Sequence, residues 1–337
     1  MNPADKQSIV ATRRVALRLA LAAMAMMGLA SEGHAQSAAD RFPSRPVTIV
    51  VPFPAGGTAD LTGRIVGQAL ARKWNQTVII ENKPGAGGNL GADAVFRAAP
   101  DGYTLLVTPQ SPLVINQHLF ENLRFDPAKF EAVGLIVKVA NALVMGAQAS
   151  ERTVADVIRT AKAAPDKLTT ATQGNGTSSH LTAELFQMAA GVKLRVVPYR
   201  GSAPALVDLA GGNVDMMFDN LGSSLQLAQA GKLRLIAVAS PSRLPVLPDV
   251  PTIAETLPGF QSESWNAMVA PPGTPPDIAD KISADLNQVL RQPEVIKSFA
   301  DLTGEVTGGP RASMTAYMKQ ESDRWGAVIR SAAIKLQ

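Results

Sequence analysis

Cysteine is absent from the 337 residues, which excludes disulfide staples, thiol nucleophiles, zinc ribbons, iron–sulfur clusters and a lipid-anchored N-terminal Cys. Histidine is scarce. His34, His118 and His180 are the only three, too few for a His-rich metal site, and no resident metal or cofactor is expected. The 32 Lys and Arg against 28 Asp and Glu leave a net charge of +4, which without clustering is no footprint for a nucleic-acid partner. No G-x-S-x-G elbow, H-E-x-x-H helix or EF-hand loop occurs, so the patterns of an α/β-hydrolase, a zinc protease and that kind of calcium site are missing. What remains is a globular composition, 46% hydrophobic and 18% charged, at a length that predicts two domains or three small ones.

The N-terminus reads as an address. Arg13, Arg14 and Arg18 precede an apolar or small run over residues 19–30, and Gly33-His34-Ala35 offers small residues at a cleavage site. A basic segment, a short apolar core and a small-residue exit make a secretory signal peptide over residues 1–35. As a helix the run rises only ~18 Å, short of a ~30 Å hydrocarbon core. The pair Arg13-Arg14 also fits a twin-arginine signal, and the general secretory route stays open beside it. No later stretch is long and apolar enough to span a bilayer, so a periplasmic location of the mature chain is expected.

Strand-like and helix-like segments then alternate. Strands are predicted at 47–51, 77–81, 103–108, 168–172, 195–198, 214–218 and 233–239, with helices following most of them. Repeated β-then-α units point to parallel sheets flanked by helices. Thr274-Pro275-Pro276-Asp277 predicts a helix start with Thr274 as its N-cap. Helices over 277–291 and from 311 to about 335 close the chain, the last expected to pack back onto an earlier domain.

Three glycine-rich turns stand out. Gly85-Ala86-Gly87-Gly88-Asn89-Leu90-Gly91 imitates a dinucleotide fingerprint, but no acidic residue ends the next strand to hold a ribose. Pro52-Phe53-Pro54-Ala55-Gly56-Gly57-Thr58-Ala59-Asp60 and Gly174-Asn175-Gly176-Thr177-Ser178-Ser179-His180 each join a strand's carboxyl end to a helix start. Free N–H groups and the positive dipole end make such starts anion sites without Lys or Arg, and Thr58, Thr177 and Ser178 add hydroxyl donors. Either loop alone is also readable as a tight turn with an N-cap. Ser178 and Ser179 beside His180 keep an exported esterase-like enzyme in view, although neighbours this close seldom form a triad.

Together with Glu81-Asn82-Lys83-Pro84-Gly85-Ala86-Gly87-Gly88, Pro100-Asp101-Gly102-Tyr103-Thr104-Leu105, Val197-Pro198-Tyr199-Arg200-Gly201-Ser202-Ala203-Pro204-Ala205 and Ala270-Pro271-Pro272-Gly273-Thr274-Pro275, these blocks strongly resemble the Bug family. Its members are the solute-binding receptors of tripartite tricarboxylate transporters. The resemblance implies an α/β, two-lobed periplasmic binding protein fold of type II-like form, each lobe a mainly parallel sheet flanked by helices, with two chain crossovers. Lobe 1 is then expected over 42–142 plus 265–337 and lobe 2 over 143–264. Ligand contacts are implied for Phe53, Ala55, Gly56, Gly57, Thr58 and Asp60 in the first loop. They are implied equally for Thr108, Gln110 and Ser111 of lobe 1, and for Gly174, Gly176, Thr177, Ser178 and His180 in the second loop. Tyr199, Gly201 and Asp219 would face them from lobe 2. The implied ligand is a small organic anion, a mono- or dicarboxylate, with membrane transporter subunits or a membrane sensor as the onward partner. No catalytic residue is expected, and a monomer is the default.

Overall fold

The computed structural model describes residues 38–331 and residue 334; the expected signal peptide lies outside the described residues. The described residues fall into two units, one ending at Arg41 and the other beginning at Phe42. Within the first, Ala38–Arg41 is a turn of 3-10 helix. In the second, the β-branched run Val47–Val51 forms β1, buried along most of its length. Helix α1 (Thr58–Trp74) returns over it with Val66, Ala69 and Leu70 inward. Gly63 and Gly67 let the helix lie close. A Cβ at Gly63 would come within 2.7 Å of Val51, and one at Gly67 within 2.8 Å of Ile80. Parallel strands β2 (Val78–Asn82) and β3 (Thr104–Pro109) flank β1, joined through α2 (Asn89–Phe96).

The second half repeats this plan. Strand β5 (Thr169–Thr172) pairs in parallel with β6 (Arg195–Pro198) and β7 (Met216–Asn220). The connections are α4 (Ser178–Ala190) and α5 (Ser202–Ala210); α6 (Leu221–Gln229) leads on to β8 (Leu233–Val238). Helix α3 (Val154–Ala163) precedes them, held by a capping box between Thr153 and Asp156. Apolar clusters lie on two sides of this half, one around Phe186 and Phe218, the other around Leu206, Leu209 and Met217.

Two strands tie the halves together, and the sheet is more mixed than expected because of them. Strand β4 (Glu131–Gly146) pairs antiparallel with β9 (Glu263–Ala270) over Glu131 to Ala140. From Asn141 onward it pairs antiparallel with β7 and β8 instead. The strand order is β2-β1-β3-β9-β4-β7-β5-β6, with β8 and the short β10 (Gly304–Val306) also on β4. Parallel pairing survives where a helix makes the return, whereas a strand passing straight from one half into the other meets its neighbours head-on. At the changeover, Asn141 N–H donates to Ser262 O (3.3 Å), Ser262 N–H to Ala239 O (2.8 Å) and Ala239 N–H to Asn141 O (2.7 Å).

Helix α7 begins at Pro276, with Pro275 in the N-cap position. Thr274 is not the cap; its hydroxyl bonds back to Pro271 O instead. Helices α7 (Pro276–Leu290), α8 (Pro293–Ala300) and α9 (Arg311–Ser331) finish the chain. Trp265 of β9 and Trp325 of α9 both donate to the buried carboxylate of Glu321 at 3.2 Å, which pins the final helix to the first half. Of the described residues, no helix is long and apolar enough to cross a membrane.

Candidate functional site

The β1–α1 loop closes against the second half and leaves a narrow, partly open inner compartment of about 20 Å³, room for about one water molecule. Phe53, Ala55, Gly57 and Thr58 line it from the first half. Gly201 and Ser202 line it from the start of α5, Gln173 and Asn220 from the ends of β5 and β7, and Asn266 from β9. Three helices open into this space: α1 after Gly57, α5 after Gly201 and α6 after Asn220. None of the three has a side-chain cap on its first N–H groups. No Lys, Arg, Asp or Glu is among the described lining residues. The compartment is thus positive through backbone dipoles alone. Asn266 presents an amide oxygen with no hydrogen-bond partner among the described residues.

The wall is closed by direct contacts. Thr58 Oγ1 and Ser223 Oγ are 2.7 Å apart, linking the starts of α1 and α6. Gly201 sits at φ +123° with its missing Cβ only 3.1 Å from Pro54 Cδ. A side chain there meets both a left-handed backbone and the opposing proline.

Phe53, Pro54 and Gln173 also border a larger outer compartment of about 400 Å³. Its other walls are the loop at residues 85–88, Phe120, and Gly174, Tyr199 and Arg200. Tyr199 donates to Asp208 at 2.7 Å; burial and that carboxylate push its phenol up to about 12. At Gly87 a Cβ would lie 2.8 Å from Asn175 O, so the two glycine loops meet here.

Beneath the inner compartment runs a buried polar chain. Ser202 Oγ (2.6 Å) and Gln173 Nε2 (2.7 Å) both donate to Asp219 Oδ1. Gln173 also donates to Asn220, and Asn220 Nδ2 to Asn141 Oδ1 at 2.8 Å. Asn141 Nδ2 in turn donates to Thr182 (3.0 Å) and Ser262 (3.1 Å). The cleft floor is therefore bonded to both crossover segments. Complete burial pushes Asp219 up to about 6, against its hydrogen bonds from Ser202 and Gln173.

The structure separates the expected contacts into groups. Phe53, Ala55, Gly57, Thr58 and Gly201 meet at the inner compartment, and Gly174 and Tyr199 at the outer one. Gly56 and Asp60 line neither: the Asp60 carboxylate accepts from Gly56 N–H, Arg64 and Asn82 at 2.9–3.0 Å. Burial opposes ionisation of Asp60, but these donors outweigh it and hold the carboxyl below its ordinary value. Thr108 bonds to Pro109 O, and Gln110 and Ser111 are buried behind that turn. Asp219 lies under the floor rather than on it.

The second loop also differs from expectation. Thr177 caps its own helix, accepting from His180 N–H, and its hydroxyl donates to Gly174 O. A Cβ on Gly176 would meet Asn116 Oδ1 at 2.9 Å, and Ser178 O accepts from Thr182. His180 Nδ1 accepts from Gly176 N–H at 3.3 Å, and burial draws its imidazole down to about 4. Ser179 donates to Phe218 O. No Ser–His hydrogen bond forms among these described residues, so the esterase-like reading has no dyad to rest on.

Gln173, Ser202, Asn220 and Asn266 were not foreseen. Gln173 and Asn220 stand at the carboxyl ends of parallel strands, the position where open α/β sheets gather ligands, and that signal could have found them. Asn266 sits mid-strand with no local sequence mark.

Two halves joined by crossing strands, with helix starts converging on a cleft, define a two-lobed solute-binding protein of the periplasmic binding protein class. The chain belongs to the TctC family, the tripartite tricarboxylate transporter family receptors, whose profile matches residues 62–334. Three solved structures are similar at 34–35% identity. An R. palustris protein with adipate has a TM-score of 0.85 over 88% of this chain and 100% of its own. Periplasmic binding protein BugD has 0.84 over the same shares, at 34% identity. MatC from Rhodopseudomonas palustris with bound malate has 0.81 over 86% of this chain and 100% of its own, also at 34%. These relatives are solute-binding proteins rather than enzymes, in agreement with the absence of an expected catalytic residue.

Proposed function

We propose that this chain is a monomeric periplasmic receptor that captures a small organic carboxylate between its lobes and presents it to the membrane subunits of a tripartite tricarboxylate-type transporter. Lobe 1 comprises residues 42–142 and 265–337, and lobe 2 residues 143–264. The observation that carries the reading is the convergence of three uncapped helix starts on one compartment without a lining acid. A carboxylate satisfies those N–H groups where a neutral ligand leaves the dipoles uncompensated. Asn220 Nδ2, which gives one hydrogen to Asn141, keeps a second for the ligand, and Phe53 supplies the apolar wall. The adipate and malate found in two relatives support this class. The inner compartment is small as it stands, so a ligand enters the open form and bonds both lobes on closure. Its preference for the closed form shifts the equilibrium.

Thermal-shift screening of the chain from residue 36 onward is the test. A carboxylate at 100 times its Kd stabilises the fold by about 2.7 kcal/mol, roughly 5 °C for a chain of this size. A screen in which neutral sugars shift the melting temperature and no carboxylate does so overturns the reading.

A further inference from the structure

The inner compartment accounts for one carboxylate and leaves the outer one unexplained. That second space, about 400 Å³, is larger than a 150 Å³ apolar cavity able to hold benzene. Its walls are mostly carbon: Phe53, Pro54, Pro84, Phe120, Pro198 and the ring of Tyr199. The polar groups there are largely engaged. The Tyr199 hydroxyl is given to Asp208, and Gln173 Nε2 to Asp219 and Asn220. The Asn175 amide, exposed and without a side-chain hydrogen bond to a described residue, is the neutral side-chain donor left for a ligand hydroxyl. No Asp or Glu lines either compartment, so an ammonium group finds no counter-ion. One charged side chain is present, Arg200, which is exposed. Its guanidinium makes no hydrogen bond, ion pair or ring contact with any described residue. Arg234, by contrast, is tied down by three backbone carbonyls and Arg311 by Glu131 and Asp280.

We propose that the outer compartment is a second subsite, which holds the apolar body of the ligand and places a second carboxylate on Arg200. The ligand class is then an extended dicarboxylate with an apolar spacer, not a short hydroxy acid and not an amino acid. This rests on the carboxylate reading of the inner compartment, and Phe53 and Pro54, which border both spaces, are where one molecule passes between them. A planar guanidinium suits a carboxylate through paired N–H groups.

Calorimetric titration separates the two ideas. Unbranched dicarboxylates from succinate to suberate, and hexanoate as the one-ended control, are titrated into the wild type and Arg200→Gln. Affinity in the wild type is expected to rise from succinate toward the longer diacids. Arg200→Gln should weaken the longer diacids about tenfold, the lower range for a hydrogen bond to a charged group, and leave hexanoate within twofold. The melting temperature of the unliganded variant should not move, because Arg200 holds nothing in place. If diacids and hexanoate bind but Arg200→Gln leaves their ratio unchanged, the subsite is wrong and the carboxylate reading stands. If no acid of the series binds the wild type, both fall together.

Discussion

The hydroxyls of Thr58 and Ser223 lie 2.7 Å apart although 165 residues separate them. One belongs to the first turn of α1 and the other to the first turn of α6, so a single hydrogen bond spans the cleft. A hydrogen bond between these two helix starts is lost whenever they move apart, and it is worth about 1 kcal/mol. Thr58→Val, which keeps the shape and drops the hydroxyl, should therefore weaken ligand affinity three- to tenfold while leaving unfolding nearly unchanged. Ser223→Ala should do the same, and the double variant should be no worse than either single one. Additive losses in the cycle would mean that the two hydroxyls act separately.

Gly57 separates binding from scaffolding. Its backbone, at φ −85° and ψ 168°, is ordinary for any residue, and the nearest neighbour of an added Cβ is Pro54 O at 3.9 Å. Gly57→Leu should fold with a melting temperature within about 2 °C of the wild type. Its side chain would occupy a compartment with room for about one water, so affinity should fall by at least about a hundredfold. Retained affinity would make this loop a mere turn.

The place of that loop, between a strand and a helix start, was legible because its glycines and hydroxyl stand between a β-branched run and a helical pattern. The same signature at residues 174–180 stands in a different setting, with Gly174 at the outer compartment. There the hydroxyl of Thr177 caps its own helix, and the helix start that meets the first loop at the inner compartment is that of α5 at Gly201, a residue that the family resemblance had implied. The pairing of helix starts across a cleft is a tertiary fact, and a loop's own letters do not carry it. Strands β4 and β9 escaped notice for another reason. Residues 131–146 are nearly continuously apolar and are buried on both faces, so the alternation that marks a half-exposed strand is missing. Asn141, a buried polar residue within that run, is the one that joins the crossover to the floor.

Asn141 carries the next prediction. It is completely buried and bonds Thr182, Ser262 and Asn220. Asn141→Ala leaves those groups short of partners, at about 1–3 kcal/mol for each one left unsatisfied, and a total loss of about 3 kcal/mol is expected in urea unfolding. Ligand affinity should fall too, although Asn141 lines neither compartment, because Asn220 loses its anchor. Unaltered affinity alongside reduced stability would confine Asn141 to a scaffolding role.

Two buried groups set opposing pH dependences. Asp219 is raised from 3.8 to about 6 by burial, so the fold holds a proton that the unfolded chain has released. Its contribution is present below pH 4 and is lost as the pH rises through 6. His180 is lowered from 6.5 to about 4, also by burial. Its neutral form suits the fold, so its contribution is present above pH 6.5 and is lost as the pH falls through 4. Each shift spans roughly two units, on the order of 3 kcal/mol. Between pH 4 and 6 the slopes nearly cancel, and the wild type should show a shallow profile there. Asp156 and Glu255, held at about 2 by their donors, act mainly below that range. Asp219→Asn keeps an acceptor for Ser202 and Gln173 and removes one slope, so its stability should climb with pH across the window. His180→Gln should do the reverse and lose stability as the pH rises. Urea titrations at pH 4.5, 5.5 and 6.5 read both. Parallel profiles for the wild type and Asp219→Asn would show that the carboxyl under the cleft floor ionises as freely as in the unfolded chain.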